Sequence, residues 1–462
     1  MGTEIAVEEL SATLRGPVFS PGDEGYDEAR TIWNAMIDKR PAAIARCTGV
    51  ADVIDVVKFA REAGALLAVR GGGHNIAGLA LCDGGIVADL SQMKGIRVDL
   101  KAETARAQPG LNLGDLDRET QAFGRVVPAG IVTDTGIAGL TLGGGFGWVT
   151  RKWGLTSDNL LSVDIVTADG EYLTASATEN ADLFWGVRGG GGNFGIVTSF
   201  EYRMRPLGPE VMAGLVLYPM EKAREVIQFY REFSEAAPDE LTCLLMLRLA
   251  PVSPVLPKEL HGKPVAGIAV CYAGSVEDGE KAVRPLKEFG TPLVDLVQPK
   301  PFATHQTLLD AAQAPGRYYY WKSEYLAGIS DEAQETLIAN TAALPSPESA
   351  LLVFQLGGAA SRIHDADSAV AHRDAAYILN IAGSCVDAEK TEGCVRWARE
   401  FWSEMQQFST GGIYTNFMTE DEGEDRVAAA YSAEKYERLV ALKNKYDPTN
   451  FFRVNQNVKP TV

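Results

Sequence analysis

The pattern of apolar and polar positions changes once along the chain, near residue 206. Over 50–61, Val53, Ile54, Val57 and Ala60 recur at i, i+1, i+4 and i+7, the face of an amphipathic helix, and Gly64 is placed to end it. A short apolar run at 66–69 predicts a buried strand. Further strands are predicted at 41–47, 85–90 and 104–108, and a helix at about 26–37, after the loop signals Pro17 and Pro21-Gly22. Strand, helix and strand in quick succession give an α/β or α+β layout. From 206 to 420 the pattern changes. Strands are predicted at 241–249, 265–272 and 351–356, and helices at 222–235, 331–344 and 392–406, with Ser330 as an N-cap. Strands and helices in separate runs predict an antiparallel sheet with helices on one face, an α+β arrangement.

At 462 residues the chain is long enough for two or three domains. Hydrophobic residues make up 46% and charged residues 23%, the composition of a globular protein. The formal net charge of −18 repels polyanions, so neither nucleic acid nor an anionic membrane is an expected partner. The start, Met1 to Leu10, is acidic and lacks the pattern of a secretory leader. No apolar run of membrane-spanning length occurs. A cytoplasmic location is the default expectation. The six cysteines are scattered with no CxxC pair, which predicts buried free thiols rather than a zinc site or disulfide framework.

The candidate chemistry lies in three glycine clusters. The predicted strand at 66–69 runs into Arg70-Gly71-Gly72-Gly73-His74-Asn75 and on to Gly78. Glycine lets backbone approach a ligand closely, and successive N–H groups in such a turn bind phosphates. Taken alone, this cluster is equally explained by a tight turn with a surface histidine. A second cluster spans Pro128-Ala129-Gly130 and Thr135 to Gly147; a third lies at Asp182 to Val197. Three clusters separated by strand-like runs point to a long ligand, a dinucleotide, laid on exposed backbone. Gly190, Gly192 and Gly195 match the Rossmann spacing, but a helix precedes them and the strand-like 196–202 follows, which excludes that fold. No phosphate-binding GxxxxGK[ST] loop occurs.

The Arg70–Asn75 turn, the Pro128–Gly147 block, Lys152-Trp153-Gly154 through Asp158-Asn159, Arg188 through Asn193-Phe194-Gly195-Ile196-Val197, and Tyr446-Asp447-Pro448 through Asn455-Gln456-Asn457-Val458 occur in this order. Together they resemble the flavin-binding domain of the vanillyl-alcohol-oxidase superfamily, and more closely its berberine-bridge-enzyme branch. Bacterial 6-hydroxynicotine-oxidase-like members are similar in length and layout. The resemblance covers about 38–205 and returns near 410–460. It implies a two-part FAD-binding domain, at 1–205 and 421–462, around a substrate domain at 206–420. It implies FAD contacts from Arg70, Gly71, Gly72, Gly73, Asn75 and Gly78 in the first turn. In the second block it implies contacts from Pro128, Val132, Thr133, Gly136, Gly139, Gly143 and Gly144. Gly154, Asn159, Gly195, Ile196, Val197, Asn455 and Asn457 complete the set. It also implies a covalent bond from His74 to the 8α-methyl of the flavin. The second link that some members make from a cysteine is absent, because Val132 stands at that position.

Five further residues are catalytic candidates. Tyr414-Thr415-Asn416 matches a Tyr-x-Asn motif that faces the flavin in the family; as an extended segment it projects Tyr414 and Asn416 to one side. Asn380 falls near a family position that often supplies a polar or acidic group. In the aromatic run 318–325, Tyr318, Tyr320 and Lys322 share one strand face, and Tyr319, Trp321 and Ser323 the other. One face in the core, or a pocket lined with rings, are both open readings. Lys322 and, on the 351–356 strand, Gln355 are candidates of this kind. Tyr414 is the expected base, its pKa lowered by the flavin or Lys322. The acidic run Glu420 to Asp425 reads as a solvated loop without calcium spacing, and no metal ligand set is expected. The resemblance implies an FAD-dependent oxidase of a small alcohol, sugar, phenol or cyclic amine with O2 as acceptor. The rival readings are a dehydrogenase and a flavin-binding protein without turnover.

Overall fold

The computed structural model describes residues 5–253 and 256–462; the first four residues of the acidic start lie outside it. Among the described residues, three larger sheets make up the fold, with Arg125–Val126 and Arg205–Pro206 paired in a small fourth. In the first, Val18–Phe19, Ala43–Arg46, Ile86–Asp89 and Leu67–Arg70 lie side by side in that order. The last three are parallel, as the helix Val50–Glu62 crossing between two of them requires. That helix buries Val53, Val56, Val57 and Ala60 against Leu67, Ile86 and Ala88. Ile54 is only partly covered, so the apolar stripe is turned slightly from the expected one. Gly64 ends the helix at φ +62.

The second sheet is antiparallel, ordered Ile96–Asp99, Thr104–Ala107, Ile196–Arg203, Leu160–Val166, Tyr172–Ser176. The helices Leu113–Gln121, Ala181–Val187 and Ala433–Tyr446 pack in its core. The chain end is fastened here. Lys443 and Asp447, both fully buried, pair at 2.7 Å, and Lys443 also donates to the carbonyls of Asn193 and Phe452. The Val458 N–H donates to Asn193 Oδ1 at 2.9 Å.

The third sheet has eight antiparallel strands. Across it run Val294–Asp295, Glu210–Pro219, Pro264–Tyr272, Leu241–Leu249, Ala350–Gln355, Tyr377–Cys385 and Tyr318–Leu326, with Gln298–Pro301 paired beside the first long strand. Period-two alternation gives it two different faces. Leu245, Leu247, Leu351, Val353, Leu379 and Ile381 meet the helices Ala223–Glu235, Asp331–Thr341 and Thr391–Met405. Leu244, Met246, Leu352, Phe354 and Ile378 face the opposite way, toward the glycine loops. Ser330 caps its helix, accepting from the Ala333 N–H.

The predicted helix at 26–37 is confined to Tyr26–Ala29. Beyond it, the Asn34 side chain donates to the carbonyls of Ile76 and Tyr319 and accepts from Tyr319 N–H, which ties this stretch to the turn after the first sheet and to the third sheet instead of to itself. The strand Ile96–Asp99 was not foreseen. All six cysteines are buried and unpaired. Among the described residues, no helix is long and apolar enough to cross a membrane.

Candidate functional site

The glycine loops converge on one cleft, roofed by the third sheet. Gly71 to Gly73 leave the end of the Leu67–Arg70 strand and press against the second glycine block. A Cβ added to Gly72 would lie 2.5 Å from the Gly136 Cα, so two backbones touch where side chains cannot. Gly139 and Gly192 also line the cleft, and a Cβ on either would meet nothing within 4 Å. The space beside them is the cleft itself. Gly195, Ile196, Val197, Val132 and Gly143 complete this wall, and Asn455 arrives from the chain end. Asn455 donates to the Gly192 and Phe452 carbonyls, while its own Oδ1 is buried without a partner.

Eight residues expected at the cofactor do not line the cleft; they shape the loops around it. Arg70 turns its guanidinium to the Ala29 carbonyl. Gly78 packs on Ile37, Gly144 on Val370, and Gly154 on Asp158. Thr133 is held by Asp310, through its N–H at 2.9 Å and its hydroxyl at 2.5 Å. Asn159 donates to the Trp153 and Leu155 carbonyls and accepts from Arg205. Pro128 and Asn457 are likewise outside the lining.

His74 stands at the cleft with its ring fixed at two points. Its imidazole stacks on Trp33 at 4.2 Å, and Trp33 stacks in turn on Tyr319 at 3.7 Å. His74 Nε2 lies 3.2 Å from Asp134 Oδ1. An ionised carboxylate only accepts, so Nε2 presents its hydrogen to Asp134 and Nδ1 takes no part in that contact. Neither Asp134 nor Trp33 was foreseen. The signal for Asp134 was a charged residue inside an otherwise uncharged glycine block. Trp33 was hidden by the helix assigned to its segment.

Tyr414 and Asn416 both reach the cleft, but not as an extended segment. Thr415–Phe417 is a 3₁₀ turn, which folds Asn416 back so that its Nδ2 donates to the Tyr414 hydroxyl at 2.8 Å. The Gly145 N–H donates to the same oxygen at 3.1 Å. Burial pushes the Tyr414 pKa up to about 12, against the lowering effect of these two donors. The expected lowering by Lys322 does not occur, because Lys322 is on the other face of the sheet. Its ammonium pairs with Glu422 at 2.7 Å and Asp421 at 3.3 Å and lies over the Trp402 ring. Gln355 is on that face too, donating to the Ser234 carbonyl at 2.5 Å and accepting from the Cys243 N–H. Both are one residue out of phase with the cleft. The acidic run is exposed as expected at Glu420, Asp421, Glu424 and Asp425, but Glu422 is the exception: its side chain is 3% exposed and also binds Arg426.

The sheet residues that do face the cleft are Trp321, Leu352, Phe354 and Asn380. Register explains the grouping: Asn380 is opposite Leu352 on one side and Ser323 on the other, so these side chains share a face. Phe417 and Phe146 close the end, meeting Trp321 and Phe354 edge to face at 5.2 and 5.1 Å. Among the described residues, no three or more His, Cys, Asp or Glu side chains are grouped to hold a metal.

Residues 41–176 match the family described as FAD binding domain, and residues 413–459 the family described as Berberine and berberine like. An FAD-linked oxidoreductase of Dictyostelium discoideum is 30% identical over 99% of this chain and 98% of its own length. The (R)-6-hydroxynicotine oxidase of Paenarthrobacter nicotinovorans is 31% identical over 97% of each. The crystal structure of 6-hydroxy-D-nicotine oxidase from Arthrobacter nicotinovorans superposes with a TM-score of 0.86 at 29% identity, covering 96% of this chain and 98% of that one.

Proposed function

The chain belongs to the berberine-bridge-like family of FAD-linked oxidoreductases, and from that premise we propose an oxidase that takes a hydride from a small alcohol or amine and passes the electrons to O2. The observation that carries the reading is one cleft in which three glycine loops, His74 and the Tyr414–Asn416 pair meet.

The residues suit FAD. The open space beside Gly139 and Gly192 is what a cofactor lying on bare backbone needs, and the unpaired Asn455 Oδ1 offers an acceptor there. Residues 1–205 and 421–462 are the cofactor-holding part, and 206–420 the part that roofs it. Bound FAD supplies the two-electron acceptor. His74 is the attachment point. Its Nδ1, which takes no part in the contact with Asp134, would be the atom that holds the flavin, and Val132 in place of a cysteine makes this the single link.

In the reaction, substrate carbon gives up a hydride and the adjacent hydroxyl or amine a proton. The two electrons reduce O2 with two protons to H2O2. Tyr414 stays neutral. Its oxygen already accepts from Gly145 and Asn416, so its own O–H is the group it can offer to a substrate oxygen or nitrogen. The substrate proton leaves to solvent. Six buried unpaired cysteines support a reducing, cytoplasmic setting.

Oxygen-electrode traces with peroxide detection, across alcohols, sugars and amines, test the reading. Equal O2 uptake and H2O2 release supports it. Anaerobic flavin reduction without O2 uptake makes the protein a dehydrogenase, and no reduction by any compound makes it a carrier.

A further inference from the structure

We infer that Arg248 and Arg317 form an oxyanion site, for a carboxylate or phosphate group, at the far end of the sheet that roofs the cleft. The inference goes beyond the oxidoreductase reading and does not rest on it. Arg248 lies near the end of the strand Leu241–Leu249, on the face that carries Leu244 and Met246. Register sets its place: Arg248 is opposite Ala350, Ala350 opposite Ala382, and Ala382 opposite Trp321. One row of the sheet thus runs from the cleft-lining Trp321 to Arg248, over three strand spacings or roughly 14 Å.

Among the described residues three arginines are buried, and two of them are fully engaged. Arg151 donates to the carbonyls of Leu241, Leu356, Ala237 and Pro238. Arg373 pairs with Asp158 at 2.7 Å and donates to Ala360 and Ser368. Arg248 differs. It is 8% exposed, yet its one hydrogen bond among the described residues runs from Nε to the neighbouring Leu249 carbonyl at 3.0 Å. Its Nη1 and Nη2, the fork that grips a carboxylate or phosphate at two points, have no partner there. Arg317 repels it, and Glu348 attracts it less strongly without forming an ion pair. Arg317 is itself fixed, its Nη1 and Nη2 donating to the Ala312 and Ala311 carbonyls at 3.0 Å. A buried guanidinium with one bond, beside a second cation, costs stability unless something satisfies it. An oxyanion supplies both the missing charge and the missing acceptors. Its source is a free ion, or the acidic end of a molecule whose neutral part lies in the cleft, where no lining side chain is aspartate, glutamate, lysine or arginine.

Melting curves of the flavin-loaded protein test the site. Inorganic phosphate and acetate, titrated against chloride at constant ionic strength, should each raise the wild-type melting temperature. In Arg248→Gln and in Arg317→Gln the apparent affinity for both ions should fall by ~10-fold or more, the worth of a hydrogen bond to a charged group. Arg317 is the less buried of the two, so Arg317→Gln alone decides where Arg248→Gln fails to fold. No response beyond that of chloride overturns the site, and so does undiminished affinity in Arg317→Gln. Octanoate separates the two sources. Binding ~10-fold or more tighter than acetate, with a shift in the flavin absorption band and loss of both in Arg317→Gln, makes the anion the acidic end of a cleft ligand. Affinity equal to that of acetate, with an unchanged flavin spectrum, makes it a free ion.

Discussion

The Asn416 side-chain amide donates to the Tyr414 hydroxyl at 2.8 Å, and the two residues are joined by a single 3₁₀ turn. With the Gly145 N–H on the same oxygen, Tyr414 is an oriented donor in an apolar wall.

Tyr414→Phe deletes that donor and little volume. Flavin reduction by substrate should slow by roughly 10–10³-fold, the worth of one oriented hydrogen bond in a dry site, with FAD content unchanged. The wild-type rate should show no tyrosine titration between about pH 6 and 9, because burial holds the phenol near about 12. A rate that climbs through that window and goes flat in the variant would make Tyr414 the base after all.

Lys322 lies across the sheet from the cleft and holds the loop that follows Tyr414. It is paired with Glu422, both side chains under 5% exposed. Lys322→Met leaves Glu422 with Arg426 alone and should cost on the order of 3 kcal/mol in unfolding free energy. Adding Glu422→Gln to it should cost less than the two single losses together, as a coupled pair requires. Denaturant unfolding of the four proteins reads this; strictly additive losses would mean the pair does not interact.

Asp117 gives a pH dependence with a definite sign. Burial raises its carboxyl from 3.8 to about 7, and its Oδ2 accepts from Gln306. Between those values the unfolded chain loses the proton while the folded one keeps it. Stability therefore falls as pH rises through that window and levels off above it. His305 next to Gln306 acts the other way: burial lowers its pKa to about 3, so stability falls as pH drops below 6.5. Asp117→Asn keeps the shape and removes only the first effect. Its melting temperature should exceed wild type at pH 8 by an amount worth on the order of 2–4 kcal/mol, and match it near pH 4. An equal difference at both values contradicts the assignment.

Much of this site was legible in the sequence. The glycine clusters, His74, Asn380, Tyr414 and Asn416 all meet at the cleft, because glycine loops and a Tyr-x-Asn pair are set by local chain chemistry. What was not legible depends on a single residue of phase or on distant partners. Lys322 and Gln355 share strands with Trp321 and Phe354, yet period two sends them to the helix face. No pattern within 318–325 says which face meets the cleft. Trp33 reaches His74 because Asn34 is tied to Ile76 and Tyr319, contacts that no window around residue 30 contains. The burial of Glu422 within the exposed acidic run was not legible because its counter-charges, Lys322 and Arg426, come from a distant strand and the next turn.

The most direct measurement is where the flavin goes when the purified protein is precipitated in acid. Wild type should give a yellow pellet, with the flavin on the peptide that contains His74. His74→Ala should release its flavin to the supernatant, and Asp134→Asn should give a smaller attached fraction, because Nε2 then no longer faces a carboxylate. A colourless wild-type pellet, with all the flavin in solution, would contradict the assignment of His74.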